Sequence, residues 1–145
     1  MAEAGATMTE LPRILVSDVD LDKGLVLLRG SPRTARRVVP LTDWGAAQLE
    51  RLVATAAFAP GAPVVYGGEG ATGRRSTLAG MVRRIYTQAG LDRESDVTPE
   101  SVRAWLGRSM REQGAPIEHV ARRLGMRSVD RTFLLVGEHW QSQEA

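Results

Sequence analysis

The stretch from Thr98 to Val136 constrains the fold most, because local punctuation cuts it into short helices. Thr98-Pro99-Glu100 predicts a helix start: threonine caps free N–H groups, proline suits the first turn, and glutamate favours the positive end of the helix dipole. Val102, Trp105, Leu106, Ser109 and Met110 mark the buried side of that helix, and Gly114 ends it. Pro116 opens a second helix with Ile117, Val120, Ala121 and Leu124 facing inward, stopped at Gly125. Ser128 starts a last helix through Phe133 and Val136, after which Gly137 to Ala145 reads as a tail carrying Trp140. The short connection between Ile117 and Thr132 has the pattern of a helix-turn-helix, with Arg122, Arg123 and Arg127 beside a packed core. Plain helical hairpins share that pattern.

Upstream, Val16 to Leu41 reads as strands around a turn. Gly24 to Leu28 leads into Gly30-Ser31-Pro32, and Val38 to Leu41 closes a β-hairpin with a basic tip. Thr42 fits a helix cap, with Trp44, Ala47, Leu52, Val53 and Ala56 at helical spacing and an end near Phe58. Residues 59–73 read as loop, short strand at Val64-Val65-Tyr66, and loop. The glycine run Gly67 to Gly73 lacks the Lys-Ser/Thr ending that holds nucleotide phosphates and magnesium. Ser76 is expected to cap a helix whose Leu78, Met81, Val82, Ile85 and Ala89 form one apolar face, with Arg83 and Arg84 at its flanks and Gly90 as its stop. Trp44 and Trp105 are expected in the core, and Trp140 at an interface. Asp18, Asp20 and Asp22 lack the glycine and terminal glutamate of a calcium loop, so an acidic turn is expected there.

A chain of 145 residues suits one core, and we read 1–136 as one unit and 137–145 as a tail. Its 43% hydrophobic and 25% charged residues disfavour disorder and coiled-coil composition. The absence of cysteine excludes disulfides, thiolate metal sites and a thiol nucleophile. No apolar run approaches the roughly 18 residues of a membrane span, and no signal peptide opens the chain, so a cytoplasmic location is expected. Net charge is +2, and Lys23 is the one lysine among 19 basic residues. The arginine bias fits either a GC-rich coding sequence or bidentate phosphate recognition. Its placement is segregated. Arg29, Arg33, Arg36 and Arg37 form an acid-free block at the hairpin, Arg74, Arg75, Arg83 and Arg84 form a second, and residues 101–131 hold a third. Such blocks fit a surface that follows a phosphate backbone, and equally a solvated charged face.

Together these pieces resemble the C-terminal catalytic domain of the tyrosine recombinases, or phage integrase family. The resemblance runs through Glu10-Leu11 with Ser17 to Leu21, and the hairpin end Arg36 to Leu41. It continues at Thr98 to Arg103, where the family usually reads Thr-Pro-His-x-Leu-Arg-His. It ends at Gln113 to Ser128 and Thr132, where the family usually reads Leu-Gly-His-x-Ser before its nucleophilic tyrosine. It implies an α+β, mainly α fold: helices with a small antiparallel β-hairpin or sheet. Little precedes Glu10, so the family's opening helix and its separate N-terminal DNA-binding domain are expected to be absent.

The family's chemistry needs a tyrosine to attack a DNA phosphate, two arginines on the non-bridging oxygens, a lysine acid and His or Trp partners. Carried over position by position, the first arginine is Thr7 and the lysine is Arg29 or, with a one-residue gap, Pro32. The first histidine is Glu100, the second is Met126, and the tyrosine is Leu135. Only Arg103 keeps the family identity. Leucine has no nucleophilic atom, arginine does not release a proton at neutral pH, and the Glu100 carboxylate would repel a phosphate. A tyrosine lent by a neighbouring subunit would still lack an arginine, the lysine and both histidines. A noncatalytic module is therefore expected, with no metal or other cofactor.

Two function classes stay open. One is a regulatory or architectural protein on double-stranded DNA, contacting mainly phosphates through Arg29, Arg33, Arg36, Arg37, Arg74, Arg75, Arg103, Arg122, Arg123 and Arg127. That reading ranks first and would make the protein nucleoid-associated. The other is a protein-interaction or homo-oligomerisation module that docks through Phe133 to Trp140. Glu100 also reads as a plain first-turn carboxylate, Arg103 as a partner of a nearby acid, and Met126 and Leu135 as core.

Overall fold

The computed structural model describes residues 2–56, 59, 61–65 and 70–137. Three 3₁₀ turns (Ala2–Ala4, Leu11–Arg13 and Val16–Asp18) lead into strands β1 (Val19–Asp20), β2 (Leu25–Leu28) and β3 (Arg37–Pro40). Helices α1 (Asp43–Ala56), α2 (Gly70–Gln88), α3 (Ser101–Glu112), α4 (Ile117–Leu124) and α5 (Val129–Val136) follow. This is the mainly helical α+β class expected from the sequence.

The strands pair antiparallel in the order β1-β2-β3, with Val19 opposite Val26, Val26 opposite Val39, and Leu28 opposite Arg37. Alternation along β2 and β3 sends Val26, Leu28 and Val39 inward and leaves Val38 exposed. Beyond β2 the chain turns at Gly30, and Ser31 and Thr34 exchange backbone hydrogen bonds that close the hairpin. The segment around Val64 runs beside Ile14, and the Val64 N–H donates to the Ile14 carbonyl at 2.9 Å.

Burial divides into two clusters. The first joins Ala4, Leu11 and Ile14 to the inner face of the sheet, Leu49 of α1 and Leu78 of α2. The second lies among α3, α4 and α5, where Ile117, Val120, Leu124 and Val136 are packed by Leu106, Met110, Met126, Phe133 and Leu135. Local chemistry sets the helix ends. The Thr42 hydroxyl accepts from the Gly45 N–H at 3.0 Å at the start of α1, and the Ser128 hydroxyl accepts from the Arg131 N–H at 3.3 Å at the start of α5. Gly125 closes α4 in the left-handed region at φ 68°, which an L side chain rarely adopts.

Several expectations are corrected. Helix α2 begins at Gly70, so Ser76 lies within it and does not cap it. Helix α3 begins at Ser101, and its hydroxyl accepts from the Thr98 N–H at 2.9 Å, the reverse of the expected threonine cap. Trp44 and Trp105 are 67% and 59% exposed. On α3 the inner stripe runs through Arg103 and Gly107, which puts Trp105, two residues from each, on the far side. Along α2, Leu78 reaches the core but Met81 and Ile85 are exposed. The helix end at Phe58, Tyr66, residues 67–69 and Trp140 lie outside the described residues. Among those described, no helix is long and apolar enough to cross a membrane.

Candidate nucleic-acid interface

Four segments converge on one cleft of about 430 Å³. They are Thr7 to Thr9, the hairpin turn from Ser31 to Thr34, Glu100 and Arg103 at the start of α3, and Met126 to Ser128 with Arg131 at the α4–α5 junction. Thr7, Glu100, Arg103 and Met126, distant in sequence, all line it, as does Pro32. The two other expected site positions lie elsewhere. The Arg29 guanidinium forms a two-pronged pair with Asp18, Nε to Oδ2 and Nη2 to Oδ1, both at 2.8 Å. Leu135 packs against the second core cluster.

Arg103 forms the floor of the cleft with its side chain 4% exposed. Its Nε donates to the Gly5 carbonyl at 3.2 Å, and its Nη2 donates to the Leu124 carbonyl at 2.7 Å and to Met126 Sδ at 3.6 Å. Its Nη1 donates to Glu100 Oε1 one helical turn earlier. Burial, with the nearby Arg37 charge, lowers its pKa to about 10, so it stays charged at neutral pH. Arg103 therefore joins the first 3₁₀ turn to the end of α4 as well as facing the cleft.

Beneath the hairpin lies a second buried group. Arg37 Nη1 and Nη2 donate to Glu10 Oε1 and Oε2 at 2.7 and 3.1 Å, and Arg37 also donates to the carbonyls of Gly5, Ala35 and Arg123. The Thr34 hydroxyl and the Thr7 N–H complete the Glu10 carboxylate at 2.7 and 2.9 Å. Burial pushes the Glu10 carboxyl up, but hydrogen bonds from Arg37, Thr7 and Thr34 outweigh it and hold its pKa below the usual value. This corrects the expected role of Arg37 as a surface DNA contact: its side chain is 7% exposed and fully engaged.

The remaining arginines divide by exposure. Arg33, Arg36, Arg75, Arg122 and Arg127 are exposed. Arg74 is half-buried and donates from Nε to the Pro12 carbonyl at 3.0 Å, and Arg123 Nη2 donates to the Pro40 carbonyl at 2.7 Å. Sequence reasoning missed Arg131, which lies in the first turn of α5 and lines the cleft with Arg33 and Arg127. Its place in the cleft depends on how the α4–α5 junction meets the hairpin turn, which no local pattern of residues encodes. The cleft thus gathers four guanidinium groups, the carboxylate of Glu100 and the hydroxyls of Thr7, Thr9, Ser31, Thr34 and Ser128. Such a set grips oxyanions through charge-assisted hydrogen bonds. Asp18 and Asp20 pair with Arg29 and Lys23, and no group of residues that could hold a metal ion occurs among the described residues.

Residues 1–134 match the model of the phage integrase family. Solved structures share the fold, three of them as follows. The crystal structure of XerA recombinase is 22% identical with a TM-score of 0.76, covering 97% of this chain and 50% of that one. The Tn1549 transposon integrase matches in complex with a circular intermediate DNA, at 11% identity and TM-score 0.65, covering 92% of this chain and 50% of that one. It matches again in complex with transposon right end DNA, at 12% identity and TM-score 0.68, covering 96% and 52%. This chain therefore spans about half the length of those proteins. No curated protein matches the sequence.

Proposed function

The chain belongs to the phage integrase family, and from that premise we propose that it is a catalytically inactive, recombinase-like domain that binds double-stranded DNA, mainly through phosphates, in a regulatory or architectural role. The observation that carries this reading is the lining of the cleft. Arg33, Arg127 and Arg131 surround it without a side-chain hydrogen bond or ion pair among the described residues, while Arg103 is engaged with Glu100 and backbone carbonyls. The Tn1549 integrase complexes with DNA support DNA as the partner. Inactivity is supported by chemistry: the family's tyrosine position is the half-buried Leu135, packed against the second core, and Thr7, Glu100 and Met126 replace its arginine and histidines.

The test is fluorescence anisotropy with a labelled duplex at low and physiological salt, comparing the protein with an Arg33→Ala, Arg127→Ala, Arg131→Ala variant. Each phosphate contact contributes about 0.9 to the slope of log affinity against log salt, so the variant should bind more weakly and with a slope shallower by about 2 to 3. A folded protein that does not bind at low salt overturns the reading. The second class, an oligomerisation module, is favoured by Leu134, 70% exposed on α5. Sedimentation with and without DNA separates it: self-association that depends on Leu134 and ignores DNA would put it first.

A further inference from the structure

We infer that Glu100 acts as a built-in competitor for phosphate at the floor of the cleft, holding the guanidinium of Arg103 so that nucleic acid is gripped at the rim alone. The inference takes the DNA-binding reading for its biological consequence, while the contact itself is independent of it. A guanidinium has five N–H donors in a fixed fork. Three N–H directions of Arg103 are taken by the Gly5 carbonyl, the Leu124 carbonyl and Met126 Sδ, all within the fold. Nη1 is the terminal nitrogen left to meet a ligand, and Glu100 Oε1 accepts from it.

Exposure and charge make the carboxylate a competitor. The Glu100 side chain is 46% exposed against 4% for Arg103, so the acid reaches the cleft and covers a cation that cannot move out to follow a ligand. Among the described residues Glu100 is also the one acid lining the cleft, beside Arg33, Arg103, Arg127 and Arg131. A phosphate oxygen reaching Arg103 must either displace the carboxylate from Nη1 or take that nitrogen's second N–H and lie beside the carboxylate's negative charge. Rim arginines carry no such obstacle.

Glu100→Gln tests this with little change of shape, since the amide keeps an acceptor oxygen and loses the charge. Glu118→Gln, on the exposed first turn of α4 and away from the cleft lining, controls for the general gain from deleting one negative charge. Against the same duplex, E100Q should bind about tenfold more tightly at low salt and steepen the salt slope by about 0.9, the increment of one added phosphate contact. E118Q should leave the slope unchanged. A second arm uses inorganic phosphate at matched ionic strength and reads thermal stability: E100Q should gain phosphate-dependent stabilisation that the wild type lacks. Equal slopes for E100Q and wild type, in a protein that binds DNA through its rim arginines, overturn the inference and leave the DNA reading standing. If no protein binds DNA, that reading fails, and the phosphate arm alone decides: stabilisation specific to E100Q supports the competitor, and its absence overturns it.

Discussion

Arg37 and Glu10, 27 residues apart in sequence, form a two-pronged ion pair beneath the hairpin, with side chains 7% and 1% exposed and oxygens at 2.7 and 3.1 Å from the guanidinium. The other Arg37 donors reach Gly5, Ala35 and Arg123, so one side chain joins the N-terminal turn, the sheet and α4. Neutralising one partner strands the other charge in a buried place, which typically costs about 3–5 kcal/mol. Glu10→Gln should lower unfolding free energy by an amount of that order in urea melts read by circular dichroism. A change below about 0.5 kcal/mol, the range of ordinary surface substitutions, would refute the structural role.

The same pair sets an acid limit. The Glu10 carboxyl is held below its usual 4.5 in the folded state, so the unfolded chain binds a proton first as pH falls. Its contribution is fully present above about pH 5 and fades as pH drops through the lowered folded value. Asp18, which accepts two hydrogen bonds from Arg29, shifts in the same direction and adds to the trend. Urea midpoints between pH 6 and pH 3 should therefore fall for the wild type and fall less for E10Q.

Much of this architecture is legible locally, because capping and left-handed stops depend on a few neighbouring residues. Ser128, Gly125, Thr42 and the inward stripe Ile117, Val120, Ala121 and Leu124 all behave as the sequence expects. Arg36 and Arg37 show where local reasoning ends. Arg37 opens β3 with its side chain buried and Arg36, just before the strand, is exposed, but the burial of Arg37 depends on Glu10, whose position is set by tertiary folding. Trp105 fails for a related reason: large apolar side chains at helical spacing mark a stripe, while the stripe of α3 that packs runs through Gly107; on α1 it is Leu49, not Trp44, that reaches the core. In the cleft, the positions of Thr7, Glu100, Arg103 and Met126 follow from the family resemblance, whereas Arg131 required the folded α4–α5 junction.

Gly107 permits the close crossing of α3 over α5. A Cβ built there would lie 2.6 Å from Val136 Cγ1 and 3.3 Å from Leu124 Cδ1. Val136 is β-branched and 3% exposed, so it has little freedom to withdraw. Helix propensity alone would favour alanine by about 1 kcal/mol, yet overpacking of this kind costs about 1–3 kcal/mol. Gly107→Ala should be net destabilising in urea melts, and adding Val136→Ala should recover part of the loss if the clash is the cause. A stabilising G107A would show that the helices part easily.

Leu135→Tyr places a phenol at the position that the proposed reading gives to the family's nucleophile, and it tests whether the rest of the cleft can support the chemistry. Leu135 is half-buried against the second core, so the larger ring should cost about 1–3 kcal/mol by overpacking and leave most of the protein folded. A nucleophile alone gives little chemistry, because groups that act as a unit contribute non-additively. On the proposed reading, Thr7 would not neutralise a non-bridging oxygen, Met126 would not handle a proton, and Glu100 would present a negative charge to a phosphate in the cleft. Arg103 remains, but its Nη1 is engaged by that carboxylate. The variant, incubated with a labelled nicked duplex and resolved on a denaturing gel, should form no covalent protein–DNA adduct above the wild-type background. An adduct from this single substitution would mean that the cleft still aligns and stabilises a phosphoryl transfer, and the domain would have to be regarded as a recombinase lacking only its tyrosine.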